Sequence, residues 1–205
     1  MCLKKLFFNQ RIFLLVFASL FLSFENISSL SAHETSVSGT NEIQGGNFTL
    51  NSAEGPLSLK DLRGSVVLLF FGYTSCSSVC PISLATISSA FSKMLPADLK
   101  RTKALFISLD PERDDVEVLK QYTGYFHPNI VGLTENITVL TEVAKQYGIK
   151  YERTIAQDSA LGYLITHSSD IFVVGLDGKL RRTFPHDTSV TPLKEHIIYL
   201  LDENL

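Results

Sequence analysis

Two cysteines stand four positions apart in the stretch Gly72-Tyr73-Thr74-Ser75-Cys76-Ser77-Ser78-Val79-Cys80-Pro81. Their thiolates are soft metal ligands and, as a pair, an exchangeable dithiol. A thioredoxin-type redox motif has two residues between its cysteines; here Ser77, Ser78 and Val79 intervene, which lengthens the loop and favours holding a metal over disulfide turnover. A structural zinc site would ask for four ligands, and the third cysteine, Cys2, lies far away at the N-terminus. Cu(I) accepts fewer and softer ligands, and one imidazole added to the two sulfurs makes a set suited to both Cu(I) and Cu(II).

Five histidines could supply that nitrogen. His167 is singled out because it ends the strand-like run Tyr163-Leu164-Ile165-Thr166, in a segment expected to return beside the sheet before Asp170-Ile171-Phe172. His33 lies in a polar stretch, His127 precedes Pro128 in a loop, His186 follows Pro185, and His196 is on the last helix; all four read as surface residues.

The elements that must position these groups follow from hydrophobic periodicity. Phe48 and Leu50 alternate with polar neighbours, and Leu57-Ser58-Leu59 follows, which predicts an N-terminal hairpin. Val66 to Phe71 is an unbroken apolar run rich in β-branched and aromatic residues between Gly64 and Gly72, the pattern of a strand buried on both faces. After the cysteine loop, Ile82, Leu84, Ile87, Ala90, Phe91 and Met94 recur at helical spacing until Pro96. The cysteines therefore sit where a buried strand hands over to a helix, and the helix dipole there favours thiolate over thiol. Both side chains are expected to point the same way once that turn becomes helical.

Strand and helix then alternate: Ala104 to Ser108, a helix from Val116 to Tyr125, Ile130 to Leu133, and a helix through Tyr147. This order predicts an α/β fold with a mostly parallel central sheet flanked by helices. Tyr163 to Thr166, Ile171 to Val174 and Leu180 to Phe184 read as strands, with Asp177-Gly178 as a hairpin turn, so an antiparallel edge is expected. Pro192 to Leu201 closes the chain as an amphipathic helix. Asp110 to Asp114 reads as a turn and a helix N-cap.

Lys4, Lys5 and Arg11 precede thirteen uncharged residues from Ile12 to Phe24, the layout of a signal peptide or an N-terminal membrane anchor over residues 1–32. The positive-inside bias would place everything after Ala32 outside, in the periplasm or on the outer face of the cytoplasmic membrane. Residues 33–46 carry almost no large apolar side chain and read as a flexible tether, leaving residues 47–205 as one domain. Beyond residue 32 there are 15 Lys and Arg against 20 Asp and Glu, a net charge of −5, which argues against a nucleic-acid partner.

The pattern Gly-Tyr-Thr-x-Cys-x-x-x-Cys-Pro from Gly72 to Pro81, with Ser108-Leu109-Asp110-Pro111-Glu112-Arg113-Asp114 and Tyr163-Leu164-x-x-His167 leading to Asp177-Gly178, resembles the Sco/SenC family of copper chaperones. The resemblance covers nearly the whole region after the tether. It implies a three-layer thioredoxin-like fold in which Cys76, Cys80 and His167 hold copper, as Cu(I) and Cu(II), for the binuclear centre of cytochrome c oxidase. The implied partners are the copper-bearing oxidase subunit, a copper donor protein and a thiol reductant. Two departures stand out: Ser77-Ser78 where the family usually has Pro-Asp, and Thr166 where an aspartate often precedes the histidine. Losing that aspartate could cost His167 an orienting partner.

Other chemistries fit the residues less well or share them. A thiol-disulfide reductase would use Cys76 and Cys80 as catalytic groups. A peroxidase of the peroxiredoxin type is disfavoured, because Tyr73 and Ser77 occupy the places its proline and threonine would take before Cys80. An interaction module without chemistry would leave the coincidence of two cysteines and a histidine without a purpose.

Overall fold

The computed structural model describes residues 45–157 and 160–203. The leader read at 1–32, and the tether up to residue 44, lie outside the described residues. Gly45 and Gly46, assigned to the tether, are part of the fold: the Tyr147 hydroxyl donates to the Gly46 carbonyl at 2.7 Å and accepts from its amide at 3.3 Å.

β1 (Thr49–Ser52) and β2 (Gly55–Ser58) form the expected antiparallel hairpin, and a short 3-10 turn, Leu59–Leu62, leads into β3 (Val66–Gly72). Every residue of β3 is buried, as its continuous apolar sequence requires. α1 (Val79–Ser92) follows the cysteine loop. Pro96, expected only to stop α1, also starts a further short helix, α2 (Pro96–Lys100), because proline suits the first helical turn. β4 (Thr102–Ser108), α3 (Val116–Phe126), β5 (Ile130–Leu133) and α4 (Ile137–Gln146) complete the alternating core. β6 (Tyr151–Ile155), β7 (Tyr163–His167), β8 (Ile171–Val174), β9 (Leu180–Phe184) and α5 (Val190–Asp202) close the chain.

The central sheet has the order β5-β4-β3-β8-β9. β5, β4 and β3 pair in parallel, while β8 is antiparallel to both β3 and β9. Four of the five strands thus run one way and β8 alone opposes them, which is the mixed form of the expected sheet. The Asp177-Gly178 turn joins β8 to β9, with Gly178 at a φ of +74° that favours glycine.

Successive residues of β3 supply opposite faces. Leu68 and Phe70 pack with Leu84 and Ile87 of α1, Leu119 of α3, and Leu193 and Ile197 of α5. Leu69 and Phe71 pack with Phe48, Leu50, and with Leu140, Val143 and Ala144 of α4. Helices therefore cover the sheet on both sides, giving the three layers expected. Each large side chain buried this way contributes about 1.5–3 kcal/mol, so the sheet is a rigid platform.

β6 and β7 stand apart from this platform as a two-stranded antiparallel hairpin running from Tyr151↔His167 to Ile155↔Tyr163. β6 was not foreseen, and β7 does not return to the central sheet.

Candidate metal centre

The parallel register of β3 and β4 ends with Gly72 opposite Ser108, and the Leu109 amide donates to the Gly72 carbonyl at 2.7 Å. Two loops therefore leave the sheet side by side: one carries the cysteines, the other carries Asp110 to Asp114. Cys80 lies in the first turn of α1 and is fully buried. Its sulfur rests over the end of β3, where a Cβ added at Gly72 would lie 2.7 Å from Cys80 Sγ and 2.9 Å from the Phe106 ring. Only glycine leaves room for this approach.

Cys76 is outside the helix, which starts at Val79, so the two sulfurs do not share a helical face as the spacing suggested. The loop itself brings them together: the Cys76 amide donates to the Tyr73 carbonyl at 3.2 Å and folds the chain back. Cys76 is half-buried, and neither cysteine is in a disulfide.

His167, at the end of β7, completes the group. The two sulfurs and a ring nitrogen of His167 all lie within 4.8 Å of one another, and Cys80 Sγ is 3.5 Å from His167 Nε2. His167 Nδ1 is 2.8 Å from the Ser168 carbonyl oxygen. A carbonyl can only accept, so Nδ1 carries a proton and donates to it, which turns Nε2 toward the sulfurs. Tyr73, 4% exposed, stands edge-on to the imidazole at 5.9 Å between centroids and shields this side from water. Its hydroxyl accepts from the Ile165 amide at 3.4 Å.

The sulfurs differ in protonation. A hydrogen bond from Cys80 lowers the Cys76 thiol to about 3, against the opposing cost of burial, with further help from His167 and from the amides of Cys80 and Ser78. Cys80 is pushed well above the ordinary thiol range, first by that same hydrogen bond and then by burial. One proton is thus shared within the pair and resides on Cys80, while Cys76 is the ready thiolate.

Against the cysteine loop lies a residue of the stretch expected to be a turn and a helix N-cap. Asp114 is fully buried and accepts from the Thr74 amide at 3.0 Å, the Thr74 hydroxyl at 2.5 Å and the Ser108 hydroxyl at 2.7 Å. Burial raises its carboxyl, while the bonds to Thr74 and Ser108 act the other way. The helix N-cap is Asp115, one residue later, which accepts from the Val118 amide at 2.8 Å. The acidic cluster announced a turn, but its sequence could not tell which carboxylate faces solvent and which faces Thr74.

The other described histidines stay away from the centre. His33 lies outside the described residues. His127 and His196 are not simple surface groups: His127 stacks edge-on against Phe91 and accepts from the Asn129 amide, and His196 lies between Phe184 and Tyr199. Among the described residues, no fourth cysteine, histidine or carboxylate joins the three.

The profile of the SCO1/SenC family matches residues 37–202. The chain belongs to the SCO1/SenC family. A SCO2-like protein of Rickettsia felis is 32% identical over 154 residues, 75% of each chain. The copper-bound ScoI structure of Bradyrhizobium japonicum is 31% identical and superposes with a TM-score of 0.70 over 77% of this chain and 99% of its own. The copper-bound ScoI of Arabidopsis thaliana is 29% identical, with a TM-score of 0.71 over 78% of this chain and 98% of its own. These neighbours share the thioredoxin-like fold expected from the sequence. Within this SCO1/SenC member, the absent aspartate before the histidine does not leave the ring unheld, because the Ser168 carbonyl orients it.

Proposed function

We propose that this chain binds one copper ion through Cys76 Sγ, Cys80 Sγ and His167 Nε2, and delivers it to the copper-bearing subunit of cytochrome c oxidase. The observation that carries the reading is the convergence of two sulfurs and an imidazole nitrogen within 4.8 Å, from positions nearly ninety residues apart. The donor set fits copper: the thiolate at Cys76 needs no proton removed, Cys80 gives one up on metal binding, and the imidazole serves either oxidation state. Copper is cargo here, and the half-exposed Cys76 is the ligand an acceptor thiolate can reach first. The oxidase as recipient, and a donor protein that loads the site, rest on membership of the SCO1/SenC family. Export to the periplasm or to the outer membrane face, with the leader either cleaved or kept as an anchor, rests on the N-terminal sequence.

Titration of the reduced protein against a competing Cu(I) chelator tests this. One equivalent of Cu(I) is expected to bind, with binding abolished by Cys76→Ser or Cys80→Ser, and His167→Ala is expected chiefly to weaken Cu(II). Undiminished copper binding in either serine variant would overturn the ligand assignment.

The asymmetry of the sulfurs favours a second reading, a thiol-disulfide reductase. The Cys76 thiolate would attack one sulfur of an exported disulfide and release the other as a thiolate; Cys80, losing its proton, would then attack Cys76 Sγ and free the substrate dithiol. Two electrons pass to the substrate, and a thiol reductant restores the Cys76–Cys80 pair. Turnover of a disulfide substrate by protein with no affinity for copper would replace the chaperone reading with this one.

A further inference from the structure

We propose that the stretch Asp110-Pro111-Glu112-Arg113-Asp114 is a two-armed positioning device, Asp114 setting the cysteine loop while Arg113 and Asp110 set the hairpin that carries His167. The proposal deepens the copper reading and rests on it for its metal-dependent part.

The Asp114 arm reaches the loop through Thr74, two residues before Cys76. Its carboxylate takes both the amide and the hydroxyl of Thr74, and is itself held by Ser108 at the end of β4. The loop between β3 and α1 has no regular ladder to fix it, so these bonds tie its path to the central sheet.

The Arg113 arm reaches the other way. Its guanidinium pairs with Asp110, and Nη1 donates to the Leu161 carbonyl at 3.2 Å and the Tyr163 carbonyl at 3.3 Å. It lies 3.8 Å over the Tyr163 ring and 5.7 Å from the centre of the Tyr73 ring. Asp110, 3% exposed, also accepts from the Tyr163 hydroxyl at 2.6 Å. The hairpin needs such ties, because all of β6 and most of β7 are exposed or half-buried and Ile165 is the one buried side chain in the two strands. Its other anchors include the Ile165 amide on Tyr73, the Tyr151 hydroxyl on Thr141, the packing of Tyr151 on the core, and the solvent-facing pair Arg153–Glu112.

A turn alone would not require this arrangement. Burying two carboxylates and a guanidinium is costly even when they are paired, and apolar replacements of similar size often serve stability better. Arg113 Nη2 is buried without a partner, which adds to that cost. What the charged groups supply is direction: a planar fork can serve Asp110 and two hairpin carbonyls together, which lysine cannot.

The experiment has a metal-free arm and a copper arm, both on the full protein. In the metal-free arm, Arg113→Lys and Tyr163→Phe are expected to speed amide exchange across β6 and β7 while leaving residues 73–80 unchanged. Asp114→Ala should do the reverse. Asp114→Asn should restore the wild-type pattern, because its amide can accept from the Thr74 N–H and the Ser108 hydroxyl and donate to Thr74 Oγ1. In the copper arm, Arg113→Lys should weaken Cu(II) about tenfold and have no added effect in a His167→Ala background, whereas the loss from Asp114→Ala should persist in that background. Additive losses for Arg113→Lys and His167→Ala, or exchange that rises equally in both regions for either arm, would overturn the proposal. A wild-type protein without copper affinity would sink the copper reading instead, and the metal-free exchange pattern would still decide the positioning role.

Discussion

The sulfur half and the imidazole half of the centre are built in opposite ways. Cys80 stands on a platform in which every residue of β3 is buried, and its sulfur lies so close over Gly72 that a side chain there would meet both the sulfur and the Phe106 ring. His167 ends a hairpin in which Ile165 is the one buried side chain among the strand residues, and that hairpin is held largely by hydrogen bonds and ring contacts, with Tyr151 packed against the core. Close packing fixes the Cys80 side of the centre. Polar ties fix the histidine side, and such regions open locally at lower free energy than the core. The centre thus pairs a rigid seat for the Cys80 sulfur with an imidazole that is easier to move.

The largest test of this contrast is Phe106→Ala. Phe106 is fully buried, stacks with Phe70 at 6.2 Å and packs on Tyr122 at 5.5 Å. Its truncation should cost about 3–5 kcal/mol in urea unfolding and loosen the Cys80 seat, weakening Cu(I) binding with it. Next comes Gly72→Ala, which drives a methyl into Cys80 Sγ and the Phe106 ring; about 1–3 kcal/mol of stability should be lost, with Cu(I) affinity falling through displacement of the sulfur. A variant that keeps wild-type Cu(I) affinity would show the seat to be softer than described.

A smaller effect separates the two sulfurs. With Cys76 lowered to about 3 by the hydrogen bond from Cys80, its thiolate fraction is already complete well below neutral pH. Alkylation of Cys76 by iodoacetamide should therefore stay nearly flat from about pH 5 to about pH 8, whereas an ordinary thiol would speed up roughly tenfold per unit. A rate that climbs steadily with pH would show that Cys80 does not donate to Cys76. The smallest change is expected from Leu164→Thr on the open face of the hairpin, where the side chain is 43% exposed: within about 0.5 kcal/mol by thermal or urea unfolding. A loss as large as that from Gly72→Ala would erase the contrast between the two halves.

The same contrast explains what the sequence made legible. β3, β4 and β8 declare themselves because both their faces are covered, so apolar residues run without a break. The helices declare themselves by stripes such as Leu84, Ile87 and Phe91, all on one buried face. Tyr151-Glu152-Arg153-Thr154-Ile155 carries no such mark, since β6 pairs only with β7 and none of its residues is buried. The three ligands were readable from residue type and motif, but their meeting depended on a hairpin whose existence was not. Asp114 was visible as part of a charged turn, and its role was hidden because a buried acceptor and an exposed cap have the same letter. Ser168 was invisible for a different reason: its contribution is a carbonyl, which every residue has.

That last contact bears on how freely the surrounding positions can drift. Because the ring is steered by main-chain oxygen, no exchange of one amino acid for another at position 168 takes the acceptor away, and position 166 is released from the duty of supplying a carboxylate. Over generations the tautomer of His167 is inherited through the course of the chain and not through a particular codon, so lineages can alter the neighbours of this histidine without disarming it.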